Sequence, residues 1–175
     1  MSAKTAMSEK TAMSEKPASR PADAAVPLPA TLPAVTPYLT LSDSAAAIDF
    51  YARAFGAAEL FRLTGQDGRI GHAEVTIGGS VLMLSDEYPD FGALGPQSIG
   101  GSPIKLHLQV ADADAALARA VAAGATVVRP AQDQFYGERT ALVADPFGYS
   151  WFLASRIEDV TPAEMQTRWD AAFAG

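Results

Sequence analysis

The sequence predicts an α+β fold: two tandem βαβββ modules forming a cupped, barrel-like mixed sheet, with an added C-terminal helix. An internal repeat is the first ground. Tyr38-Leu-Thr-Leu-Ser-Asp43 lies over His107-Leu-Gln-Val-Ala-Asp112 at an offset of 69, Gly56-Ala57 over Gly124-Ala125, and Gly79-Ser-Val-Leu-Met-Leu84 over Gly148-Tyr-Ser-Trp-Phe-Leu153. A pair of matching hairpins is the second. Gly78-Gly79 suits a two-residue turn with positive φ, and Asp145-Pro146-Phe147-Gly148 places turn-forming residues in order. The third is Thr161-Pro162-Ala163-Glu164, which joins an N-cap, a Pro at N1 and a Glu at N3 ahead of Met165, Trp169 and Phe173.

The elements follow in order. Residues 1–33 repeat Thr-Ala-Met-Ser-Glu-Lys and then carry five prolines, so they read as a disordered low-complexity tail. Val35–Leu41 alternates as a strand, with Thr36, Tyr38 and Thr40 facing one way and Leu39 and Leu41 the other. Asp43 or a neighbouring serine caps a helix to Phe55 whose stripe is Ile48, Tyr51, Ala52 and Phe55, with Asp49 and Arg53 as an i,i+4 pair. Strands follow at about 58–63, 69–77 and 80–85. Gly, Pro, Ser and Asp then mark a linker. The order recurs as a strand at 104–110, a helix from Asp112 or Asp114 to Ala123, a strand at 125–129, a loop at 132–137, and the closing hairpin, in which Trp151 is read as core against the second helix. The domain reading is a tail at 1–33; a domain at 34–157, divided into module one (34–86), a linker (87–102) and module two (103–157); and a capping or dimer helix at 158–175.

A chain of 175 residues with 49% apolar content is long enough for one buried domain and too short for two ordinary ones. Its net charge of −7 opposes a nucleic-acid partner. With no cysteine, it has neither disulfides nor thiolate metal sites. No apolar run reaches the ~20 residues of a membrane span. A cytoplasmic protein, homodimeric through exposed strand edges and the last helix, is the expectation.

Paired βαβββ modules closed by Asp145-Pro-Phe-Gly-Tyr149 resemble the vicinal oxygen chelate superfamily, which includes glyoxalase I, extradiol dioxygenases and bleomycin-binding proteins. The resemblance also rests on Pro37-Tyr-Leu39, Ala47-Ile-Asp-Phe-Tyr51, Asp67–Glu74, Gln134–Arg139 and Ile157-Glu-Asp-Val160. Together these segments look like its uncharacterised bacterial glyoxalase-like branch. The family's enzymes hold a divalent metal with one ligand from each of four strands. The matching positions here are Thr36, Met83, Lys105 and Phe152, none of which is a carboxylate or imidazole. The resemblance therefore implies the scaffold without its usual cofactor, and a small-molecule-binding protein. The alternative is a lyase, isomerase or dioxygenase using an off-register metal or metal-free acid/base chemistry.

Alternation puts Tyr38, Met83, Lys105, His107, Gln109 and Phe152 on the concave face with Thr36, a mix of apolar wall and polar groups suited to a small ligand. His107, Glu74 and Tyr38 are the acid/base candidates. His72 and Glu74 share a strand face and with His107 would make an off-register metal set, though nothing in the spacing brings His107 within reach of the pair. Arg139 offers a planar five-donor fork for an anionic group, and Tyr136 an aromatic lid.

Overall fold

The structure, a computed structural model, describes residues 32–174. Strand β1 (Tyr38–Leu41) leads into helix α1 (Ser44–Phe55), then β2 (Ala58–Thr64), β3 (Ile70–Ile77) and β4 (Ser80–Asp86). A 3-10 turn at Pro89–Phe91 and a short helix α2 (Pro96–Ile99) follow. The pattern then repeats as β5 (Lys105–Gln109), α3 (Ala113–Ala123), β6 (Thr126–Asp133), β7 (Glu138–Ala144) and β8 (Ser150–Arg156), ending in α4 (Pro162–Phe173). All but the last two residues of the expected tail lie outside the described residues.

Local chemistry explains the boundaries. Asp43 and Asp112 are the N-caps, and their Oδ1 atoms accept from Ala46 N at 2.9 Å and Ala115 N at 3.0 Å. Thr161 likewise accepts from Glu164 N at 3.2 Å. Strand β1 begins at Tyr38 rather than Val35, because prolines at 33 and 37 withhold ladder donors. Thr36 therefore precedes the strand. Strand β6 runs on to Asp133 by absorbing two register shifts, and so takes in residues expected in a loop. Arg53 does not pair with Asp49; its Nη1 donates to Ala123 O at the end of α3, at 3.3 Å.

The strand orders are β1-β4-β3-β2 and β5-β8-β7-β6. No strand of one sheet bonds to a strand of the other, so the sheets are cupped but do not close into a barrel. The repeat is also visible in the register. Tyr38, Met83, Glu74 and Phe61 form one row across the first sheet. His107, Phe152, Leu142 and Arg129 form the matching row across the second.

The core lies on the helix side of both sheets. Phe50, Tyr51 and Phe55 of α1 are buried with Leu39, Leu84, Val143 and Leu153, whereas α3 buries only Ala113, Ala116 and Ala120. The helices pack on each other. Trp151 points away from Phe152 into the core that holds Ala116 and Ala120 of α3, and its ring also packs on α1, 4.6 Å from Phe55 and 5.3 Å from Tyr51 (centroid distances). Beside it, the buried Asp145 carboxylate accepts from the Tyr51 hydroxyl at 2.9 Å, Trp151 Nε1 at 3.0 Å, and the backbone N–H groups of Phe147 and Tyr149. Burial first, and this carboxylate second, push the Tyr51 phenol well above its ordinary range.

The linker is folded down. Glu87 accepts from Gly95 N at 2.6 Å and from the Ser98 hydroxyl at 2.9 Å, and Gln97 Nε2 donates to Pro146 O at 2.9 Å. Gly148, at φ 96°, has no room for a side chain, since a Cβ there would stand 2.9 Å from Pro96.

Candidate functional site

The helix-free face of the first sheet is organised by three polar groups. His72 and Glu74 project together from β3, as their spacing requires, and Tyr38 reaches them across β4. Tyr38 Oη lies 3.1 Å from His72 Nδ1, and His72 Nε2 lies 3.4 Å from Glu74 Oε1. With Nε2 protonated toward the carboxylate, Nδ1 accepts from the phenol, so the three form a continuous hydrogen-bonded line. Glu74 is buried at its inner end, at 8% exposure, while Tyr38 is 50% exposed at its outer end. Phe61 and Tyr38 flank the imidazole, each 5.6 Å away between centroids.

The matching face of the second sheet is arranged differently. Glu138 takes a hydrogen bond from Gln109 Nε2 at 2.7 Å, and His107 Nε2 stands 3.7 Å from its other oxygen. His107 lies 6.0 Å from the Phe152 ring on one side of the row, and the Arg129 guanidinium carbon lies 5.4 Å from the same ring on the other. Lys105 is exposed at the start of the strand. A groove of about 490 Å³ continues from Gln109 and Glu138 to Tyr136 and Met165. A second, of about 400 Å³, runs between the modules past Val81, Leu106, His107 and Gln109.

Two expectations fail. Arg139 is not available to a ligand. It alternates away from Glu138 toward α3, where Nε and Nη2 donate to Asp114 and Nη1 to Asp133. These hydrogen bonds hold the guanidinium in its charged form and the Asp114 carboxyl below its usual range. The set His72, Glu74 and His107 is also not assembled, because the first two lie on the first sheet and His107 on the second. Among the described residues, no three His, Asp or Glu side chains are grouped to hold a metal ion.

Sequence reasoning missed Arg129 and the part of His72 as the link between Tyr38 and Glu74. A register shift in β6 between Val127 and Arg129 brings Arg129 into the row of Phe152, where unbroken alternation would have put Val128. The Tyr38–His72 contact spans an intervening strand, which pairwise spacing cannot reveal. At the far end of the molecule, Arg168 clamps α4 by donating to Glu158, Glu164 and Phe135 O. No described helix is long and apolar enough to cross a membrane.

Comparison with known proteins places this geometry. The profile of the glyoxalase/bleomycin resistance protein/dioxygenase superfamily matches residues 32–153. An uncharacterised protein of Mycobacterium bovis is 45% identical over 137 residues, covering 77% of this chain and 90% of its own. The crystal structure of TioX from Micromonospora superposes with a TM-score of 0.53 at 30% identity, covering 69% of this chain and 95% of that one. A structure described as a glyoxalase-related enzyme from Fulvimarina pelagi does so at 0.53 and 25% identity, covering 70% and 88%.

Proposed function

Because the chain belongs to the glyoxalase/bleomycin resistance protein/dioxygenase superfamily, we propose that it uses the superfamily's scaffold to bind a small molecule without the divalent metal. One observation carries this reading: the side chains at the four usual ligand positions. They are a hydroxyl (Thr36), a thioether (Met83), an ammonium (Lys105) and a phenyl ring (Phe152), and the last has the Arg129 guanidinium over it. Such donors do not fit a hard divalent cation, and the neighbouring positive charges oppose one. The same faces keep apolar floors ringed by convergent polar groups, as a ligand site needs. Cytoplasmic location and a lack of nucleic-acid or membrane partners are supported by the absence of cysteine and the net charge of −7. A homodimer is supported by Trp169 and Phe173, which are 50% and 62% exposed on α4; sedimentation of a monomer at micromolar concentration would remove that part.

The test is elemental analysis of untagged protein, with calorimetric titration of Ni²⁺, Zn²⁺, Mn²⁺ and Fe²⁺. No stoichiometric ion is expected. One ion bound per chain would overturn the reading.

The line Tyr38–His72–Glu74 favours a second reading, metal-free acid/base catalysis in which Tyr38 exchanges the proton and Glu74 orients the imidazole. Activated carbonyl compounds incubated in D₂O would then gain deuterium with the wild type and not with Tyr38→Phe. Equal incorporation by both sinks it.

A further inference from the structure

We infer that the second module holds an anion: the Arg129 guanidinium takes the carboxylate or phosphate group of a small ligand whose body lies on Phe152 near His107. This inference rests on the reading of the concave faces as a ligand site. Arg129 is half-buried on β6, yet it makes no hydrogen bond or ion pair among the described residues. Of the other described arginines, only Arg119, which is exposed on α3, also lacks a polar partner, and Arg53 donates to a backbone carbonyl. Arg139 and Arg168 each engage two carboxylates, and Arg62, Arg69 and Arg156 engage one each. Arg129 has only the Phe152 ring, which draws a cation by its quadrupole but accepts none of its five N–H donors.

The surroundings favour an oxyanion over other partners. The one carboxylate described on this part of the face, Glu138, is held by Gln109 and stands by His107, so it leaves Arg129 to an outside group. Lys105 adds a second positive charge two residues before His107. Of the three buried side-chain polar atoms without a partner among the described residues, two belong to this sheet: Arg129 Nε and Thr140 Oγ1. Thr140 lies in the next row, between Ala154 and Gln132. Leaving a buried donor unmet is costly in a binding surface unless a ligand meets it. A guanidinium fork matches the paired oxygens of a carboxylate or phosphate, and a phenyl floor suits a flat apolar body.

The experiment uses the full chain, with benzoate, its neutral isostere benzamide and inorganic phosphate as probes, read by calorimetry and by the shifts of His107 and Arg129 resonances. Benzoate is expected to bind more tightly than benzamide by about tenfold, as one charge-assisted pair supplies. Arg129→Met should erase that preference and leave benzamide unchanged, and Arg129→Lys should restore part of it. Phosphate binding with no gain from the benzoate ring assigns the site to phosphate; the reverse assigns it to carboxylates. A structural role predicts otherwise: Arg129→Met would lower the melting temperature of the unliganded protein, and benzoate affinity would stay within about twofold. That result, equal affinity for benzoate and benzamide, or no saturable binding of either anion, overturns the inference. Equal affinity would leave the small-molecule reading standing, whereas stoichiometric metal in the earlier test removes the reading itself.

Discussion

The two modules share a strand order, a capping scheme and a register, yet they divide their work differently. On the helix side, module one supplies the bulk: α1 buries Phe50, Tyr51 and Phe55, while the fully buried residues of α3 are alanines, with Leu117 partly buried beside them. The aromatic side chains of α1 reach across to Trp151 on β8 in the other module. On the open side the contrast reverses in kind. Tyr38, His72 and Glu74 satisfy one another, whereas Arg129, in the equivalent row, has no polar partner among the described residues. The difference teaches that duplication preserved the backbone while each copy became specialised, one as a self-contained polar line and the other as a face that awaits an outside group.

The largest effect should come from breaking the helix-side asymmetry. Tyr51→Ala empties a fully buried aromatic site shared by both modules and should cost about 3–5 kcal/mol in urea unfolding. Leu117→Ala on α3, half-buried, should cost nearer ~1 kcal/mol; comparable losses would mean that α3 carries its own share of the core. Next comes Asp145→Ala, which strands the Tyr51 hydroxyl, the Trp151 indole N–H and two backbone N–H groups, and should cost about 3 kcal/mol. Asp145→Asn, which keeps an acceptor oxygen, should recover part of this, as seen in the same denaturation curves.

A smaller effect sharpens the contrast of the open faces. Glu74→Leu removes the acceptor of His72 and should destabilise by about 1 kcal/mol. Arg129→Met removes an unmet donor and should leave the melting temperature unchanged or raise it. The same sign for both substitutions would erase the distinction between the faces. The smallest concerns α4. The Arg168 hydrogen bond holds the Glu158 carboxyl below its usual range. Its contribution is therefore present above that range and is lost as pH falls through the lowered value. Trp169 fluorescence should shift in acid as α4 loosens, and Glu158→Gln should show the loosened signal already at neutral pH.

Much of the fold was legible because it rests on local signals. The caps at Asp43, Asp112 and Thr161, the Gly78-Gly79 turn and the repeat itself each depend on residues close in sequence. The candidate site was legible only where strand alternation is unbroken. Tyr38, His107, Gln109 and Phe152 fall on the open faces as their strands dictate. Arg129 was not legible, because a register shift in β6 brings it onto the open face where unbroken alternation would put Val128, and Arg139 misled because an exposed-looking arginine found two carboxylates that lie 25 and 6 residues away in the chain. Charge pairing across such separations leaves no trace in local spacing.

The docked linker has a mechanical consequence. A Gly-, Pro- and Ser-rich stretch between two duplicated units suggests a joint about which they could swing. Here Gln97 Nε2 donates to Pro146 O across to module two, and its side-chain Oε1 accepts from the Ser42 hydroxyl of module one at 3.0 Å. Pro96 meanwhile lies against Gly148. The stretch acts as a rivet, not a hinge. These contacts tie the stretch to both modules, so a swing of one module against the other would have to break them.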